Sequence, residues 1–168
     1  MYKKFIVSFL FFGLLVGCSE QASLEPVSID ENVDSCAECN MGILEVNHAA
    51  QIILEDGTPK LYDDIGCMLI DYDEQQNKLG VAYVPDYNSD EWIDMKEATF
   101  LQHSNIPTPM SYGIIAFKSP EEAETFRAAN RGGGDLFDGD EILQLDVQSL
   151  KQEMEHDHLD DEMSDSDE

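Results

Sequence analysis

The stretch "VNHAAQIILEDGTPKLYDD", residues 46–64, allows few folds. Asp56-Gly57 lies between two apolar runs, the pairing that closes a tight β-hairpin, because glycine takes the positive φ such turns need. Val46, His48, Ala50, Ile52 and Leu54 alternate along the first run and suit one face of a half-buried strand. "KLYD" is the returning strand. Asp63 or Asp64 can cap a helix whose apolar positions, Ile65, Met68, Leu69 and Tyr72, recur at i, i+3, i+4 and i+7. "LGVAYV" from Leu79 supplies a third strand, so the first half reads β-β-α-β.

The second half repeats that order loosely. Strand material occurs around Trp92 and again from Ala98 to His103, and "YGIIAF" is a further strand after the Pro-rich loop "SNIPTPM". "SPEEAETFRAAN" opens a helix, with Ser119 at the cap, Pro120 at the first position and Glu122 closing a capping box; "RGGG" ends it. From Asp140 onward, Leu143, Val147, Leu150 and Met154 fit a helix, although "ILQLDV" alone also passes for a strand. The expected class is α+β, two small ββαβ-like lobes packed together.

The chain ends are of a different composition. Lys3 and Lys4 precede an apolar run from Phe5 to Val16 that is short for a membrane span, and "LVGC" closes it. This pattern resembles a bacterial lipoprotein signal, residues 1–17, with Cys18 as the lipidated residue and the extracytoplasmic face of the cell membrane as the location. Residues 18–35 read as a tether, 36–145 as the domain, and 146–168 as a helix end followed by a disordered acidic tail. The formal charge of −27 excludes nucleic acid as a partner.

With Cys18 committed to lipid, Cys36, Cys39 and Cys67 remain, an odd number that points to metal or redox chemistry. Cys36 and Cys39 form a Cys-x-x-Cys pair. A thiol-disulfide site places such a pair at a helix start after a strand, whereas here a tether precedes it and Glu38 sits between the thiols. A structural zinc site needs four ligands, which Cys67 and His48 can complete, but there is no second knuckle. Neither use needs Met41. Copper(I) does favour such a residue, since this soft ion prefers thiolate and thioether and accepts imidazole. Cys39 and Met41 would lie on one side of an extended segment, and Met110, in a loop stiffened by Pro107 and Pro109, offers a third soft donor. Cys67 falls on the helix face opposite the apolar stripe, and nothing ties it to a site. No hydrolytic motif or phosphate-cradling glycine loop is present, so the chain reads as a binding protein and not an enzyme.

The pattern C-x-x-C-x-M near the start of a lipoprotein resembles the NosL family, copper chaperones accessory to nitrous-oxide reductase. "YDDIGCML", "WIDMKEATFL" and the run from Met110 to Ala123 are similar to it as well. The resemblance spans about Cys36 to Phe137 and implies a lipid-anchored α+β protein of two small lobes that binds copper(I), with nitrous-oxide reductase or another copper-handling protein as client. It implies Cys39 and Met41 as ligands, Met110 as the downstream methionine and His48 as the imidazole. Two departures stand out: Asn40 replaces the glycine common between the Cys and the Met, and Cys36, an added ligand or a disulfide partner of Cys39, is not found throughout the family.

Overall fold

The computed structural model describes residues 22–130 and 132–150. The expected leader, Cys18 and the expected acidic tail from residue 151 lie outside the described residues.

The expected hairpin forms. Strand β1 (Ala50–Leu54) pairs antiparallel with β2 (Pro59–Tyr62), Ala50 opposite Tyr62 and Ile53 opposite Pro59. Gly57 takes φ 83° and its N–H donates to the Leu54 carbonyl at 2.8 Å. Val46–His48 leave the strand and make a single 3₁₀ turn. The alternation expected along β1 is overruled, because Gln51 and Ile53 on its far face are 0% and 1% exposed. Among the described residues no helix covers that face; the residues from 22 to 27 do. Gln51 accepts from the Val27 N–H at 2.8 Å and donates back to the Val27 carbonyl at 3.2 Å, while the Tyr83 hydroxyl donates to the Leu24 carbonyl at 3.1 Å. The folded body therefore begins well before Cys36. From residue 22 on, the expected tether is a strap across the sheet.

The opposite face of this sheet packs helix α1 (Ile65–Gln75). Strand β3 (Leu79–Pro85) pairs with the free side of β1, and β4 (Trp92–Asp94) pairs with β3, giving the order β2-β1-β3-β4. The Trp92 strand thus completes the first sheet and not, as expected, the second half. Only a short loop separates it from β3, so hairpin pairing is the nearest way to satisfy its backbone. The second unit comprises β5 (Thr99–Gln102), β6 (Ile114–Phe117), α2 (Pro120–Ala129) and β7 (Asp135–Phe137), with sheet order β6-β5-β7. The ββαβ part of the first unit, without β4, and the second unit share one spatial order, first strand in the middle, and the chain is α+β as expected. The closing strand β7 is a three-residue element that carries no periodic signal of its own.

Strands β5 and β6 alternate cleanly between two cores. Phe100, Ile114 and Ala116 face the main core with Ile52, Met68 and Val84, whereas Leu101, Ile115 and Phe117 pack against Ala123 and Phe126 of α2. The sheets also touch through a parallel bridge between Asp86 and Ala116. Asp86 is buried there because the Lys118 amide and the Ser89 hydroxyl donate to its two oxygens at 3.1 and 2.6 Å. Near the chain end, the segment that allowed helix or strand makes a 3₁₀ turn at Ile142–Gln144, with Ile142 and Val147 in the main core.

Asp71 of α1 is a second buried carboxylate, 5% exposed, and takes donors from Lys60, from the Tyr62 hydroxyl at 2.7 Å and from Gln75 at 2.8 Å. Burial alone pushes its carboxyl up, but these donors, Lys60 foremost, outweigh that and hold it below the usual range. A depressed acid contributes stability above its unfolded pKa of about 4 and loses it as pH falls through the folded value. Asp71→Asn is expected to cost about 2 kcal/mol in urea unfolding at pH 7. The gap to the unsubstituted chain closes below about pH 3.

Candidate metal centre

The hexapeptide "CAECNM" is a closed turn, not an extended segment. The Asn40 N–H donates to the Cys36 carbonyl at 3.0 Å, and the Cys36 N–H to the Met41 carbonyl at 2.8 Å. A bridge between Ser35 and Gly42 closes the base of the turn. Asn40 makes this possible by taking φ 62°, the left-handed region that costs most residues about 1–2 kcal/mol but is tolerated by Asn and free for Gly. That is the physical reason asparagine can stand where the resemblance implies glycine. Asn40→Gly is expected to leave thermal stability within a few degrees of the unsubstituted chain, whereas Asn40→Val loses about 1–2 kcal/mol and opens the turn.

The turn docks along the outer side of β2, an edge strand, where the Ala37 N–H donates to the Leu61 carbonyl at 2.8 Å. This brings the thiols to the junction of β2 and α1. Asp64 takes the cap of α1, one oxygen accepting from the Gly66 N–H at 2.9 Å. Asp63 is left free for the thiols. Its two oxygens lie 3.7 and 3.6 Å from the Cys39 sulfur. Cys67, in the first turn of α1, closes the group. The ligand atoms of Cys36, Cys39, Asp63 and Cys67 all lie within 4.8 Å of one another.

Cys36 and Cys67 are buried and Cys39 is half-buried, all three as free thiols. The neighbouring Cys67 side chain, helped by the backbone amides of Cys39 and Asp63, outweighs burial and lowers Cys36 to about 6. The Cys36 neighbour and burial push Cys67 up, and burial pushes Cys39 up to about 11. Cys67, read from periodicity as lying off the apolar face and apart from any site, is 1% exposed and central to the cluster. The whole first turn of α1 is enclosed, so the stripe expected for a one-sided helix does not apply there. A cysteine just after an Asp cap, together with the odd thiol count, is the signal that could have found it.

The methionines stand at the rim. Met41 is 54% exposed on the outside of the turn, so it does not lie on one side of an extended strand with Cys39. Met110 is half-buried, and its backbone N–H donates to the second oxygen of Asp64 at 3.0 Å. The β5–β6 loop of the second unit is thereby pinned to the helix start that carries Cys67. His48 is not brought to the cluster. It sits on its 3₁₀ turn with Nε2 at 3.9 Å from Glu45 and with a buried Nδ1 that has no hydrogen-bond partner. The structure thus unites Cys36 and Cys39, adds Cys67 and Asp63, places Met41 beside the turn and Met110 on a loop bonded to the same helix cap, and leaves His48 apart.

Residues 26–147 match the sequence family NosL. The chain belongs to the NosL family. The fold agrees with a solved NosL, the crystal structure of the copper chaperone NosL from Shewanella denitrificans, at a TM-score of 0.59 and 21% identity. The likeness covers 71% of this chain and 96% of that one. Among curated proteins none matches the sequence. The NosL match takes in the strap from residue 26 as well as both ββαβ units, which agrees with a folded body that starts before the thiols.

Proposed function

We propose that this NosL protein is a copper(I) chaperone, held on the extracytoplasmic face of the cell membrane by a lipid on Cys18 and supplying copper for nitrous-oxide reductase. The observation that carries the reading is the placement of Cys39, a thiol that is both a member of a buried sulfur cluster and half-open to solvent beside an exposed methionine. Membership of the NosL family and the fold shared with a copper chaperone support it. Copper(I) is cargo, and a carrier needs ligands that hold a soft ion yet yield to an incoming donor. Cys39 with Met41 and Met110 suits that, because thioethers bind without a proton to lose and exchange readily. His48 is the remaining candidate from the family pattern. No helix among the described residues is long and apolar enough to cross a membrane, so the proposed attachment rests on the lipid.

Asp63 favours a second reading. Three thiolates and one carboxylate also make a tetrahedral zinc set. The two are separated by titrating the reduced full chain, in detergent and without oxygen, against a copper(I) chelator and against a zinc indicator. The expected result is one copper(I) per chain, bound far more tightly than zinc, with Met41→Ala and Met110→Ala each weakening copper by about tenfold, or 1.4 kcal/mol. Zinc binding that exceeds copper(I), with the methionine variants unchanged, would sink the copper reading.

A further inference from the structure

We infer that Cys36, Cys39 and Cys67 form an inner three-thiolate station for a thiophilic ion, with Cys39 shared between it and the outer Cys39–Met41–Met110 set. The inference rests on the copper reading above and deepens it, by giving the ion two positions that differ in depth. Two independent features of the site carry it.

The first is geometric. Metal–thiolate bonds of about 2.3 Å put three sulfurs about 4 Å apart around a trigonal ion. The sulfurs already lie within 4.8 Å of one another, so closing on an ion needs less than about an ångström of movement each. The backbone holds all three in place: Cys36 and Cys39 by the closed turn, Cys67 by the capped helix.

The second is an unbalanced charge. Asp63 is 3% exposed, yet among the described residues no Lys, Arg or His stands within ion-pair distance of it, and the donor to its carboxyl group is the Cys39 thiol. Of the other three buried carboxyl groups, Asp71 and Asp86 each have a lysine, and Asp64 accepts from the backbone amides of Gly66 and Met110. Taking a carboxylate out of water costs several kcal/mol unless a cation or strong donors compensate. Three cysteines packed only as small apolar side chains would leave that cost standing. A cation among the sulfurs removes it. Each sulfur that bonds the ion gives up its proton to water. Copper stays in the +1 state throughout, and no electron is transferred.

Cadmium(II) is the probe, since its charge-transfer absorption in the ultraviolet counts thiolates and ignores thioethers. One equivalent added to the reduced full chain in detergent should give the intensity of three thiolates. Cys36→Ser and Cys67→Ser should each lower it by about a third, and Met41→Ala and Met110→Ala should leave it unchanged. Copper(I) affinity should fall by about ten- to a hundredfold in Cys36→Ser and Cys67→Ser, measured against a chelator. An intensity of one thiolate in the unsubstituted chain would overturn the station whatever the variants do. So would a Cys67→Ser or Cys67→Ala protein that melts like the unsubstituted chain and keeps its full cadmium absorption and copper affinity. If the station fails in this way while copper(I) still binds through Cys39 and the methionines, the chaperone reading survives alone. If cadmium meets three thiolates but copper(I) binds weakly, the station stands and the copper reading falls.

Discussion

Cys39→Ser is expected to raise the apparent dissociation constant for copper(I) by about two to three orders of magnitude, roughly 3–4 kcal/mol. The loss is large because a soft ion gains little from a hydroxyl, which is a hard donor and stays protonated at neutral pH. It also exceeds the loss from either methionine, because Cys39 is the one sulfur that faces both the buried thiols and the surface. Folding should survive the change. Cys39 is half-buried, oxygen is smaller than sulfur, and the Asp63 carboxylate at 3.6 and 3.7 Å from the sulfur accepts a hydroxyl at least as well as a thiol. A melting temperature within a few degrees of the unsubstituted chain, alongside the failed competition against chelator, separates lost ligation from lost structure. Retained affinity in a folded variant would move the copper site away from this turn.

Gly66→Ala should be strongly destabilising for the addition of a single methyl group. Helix propensity favours the change by about 1 kcal/mol, since alanine is the better helix former. Packing opposes it strongly. A Cβ at Gly66 would stand 2.2 and 2.3 Å from ring carbons of Tyr112 and 2.8 Å from its Cβ. Tyr112 is 3% exposed, so its ring can move only by displacing packed neighbours. Overpacking of this kind costs typically 1–3 kcal/mol and sometimes more, so the net expectation is about 2 kcal/mol of destabilisation. For a chain of this size that is about 4–8 °C in melting temperature by circular dichroism. The ring that must move belongs to the loop carrying Met110, so copper affinity should fall together with stability. A melting temperature equal to or above that of the unsubstituted chain would show that the loop yields freely and does not hold Met110 in place.

Much of this architecture is legible in the amino-acid order, because local rules and tertiary packing agree there. Asp56-Gly57 turns, Ser119 and Pro120 start α2, and "YGIIAF" is a strand with two distinct faces. Two of the misreadings share a cause, enclosure by chain remote in sequence, and a third is local. Gln51 looks like a solvent-facing position until the strap covers it. Cys67 looks peripheral until the thiol turn and the Tyr112 loop close over the start of α1. Met41 looks aligned with Cys39 until Asn40 adopts the left-handed conformation. The element order survived these errors because hydrophobic periodicity reports a strand or helix without reporting what lies on its far side.

The strap across β1 and β3 also sets how far the thiols can travel. Free chain from Cys18 to Cys36 could stretch to about 60 Å at some 3.3–3.6 Å per residue. With the sheet gripping the backbone from residue 22 onward, the four steps from Cys18 to Ala22 can span about 14 Å at most. A lipid on Cys18 would then keep the domain skimming the bilayer with one preferred side toward it, and an acceptor of copper would have to present its own site close to the lipid headgroups.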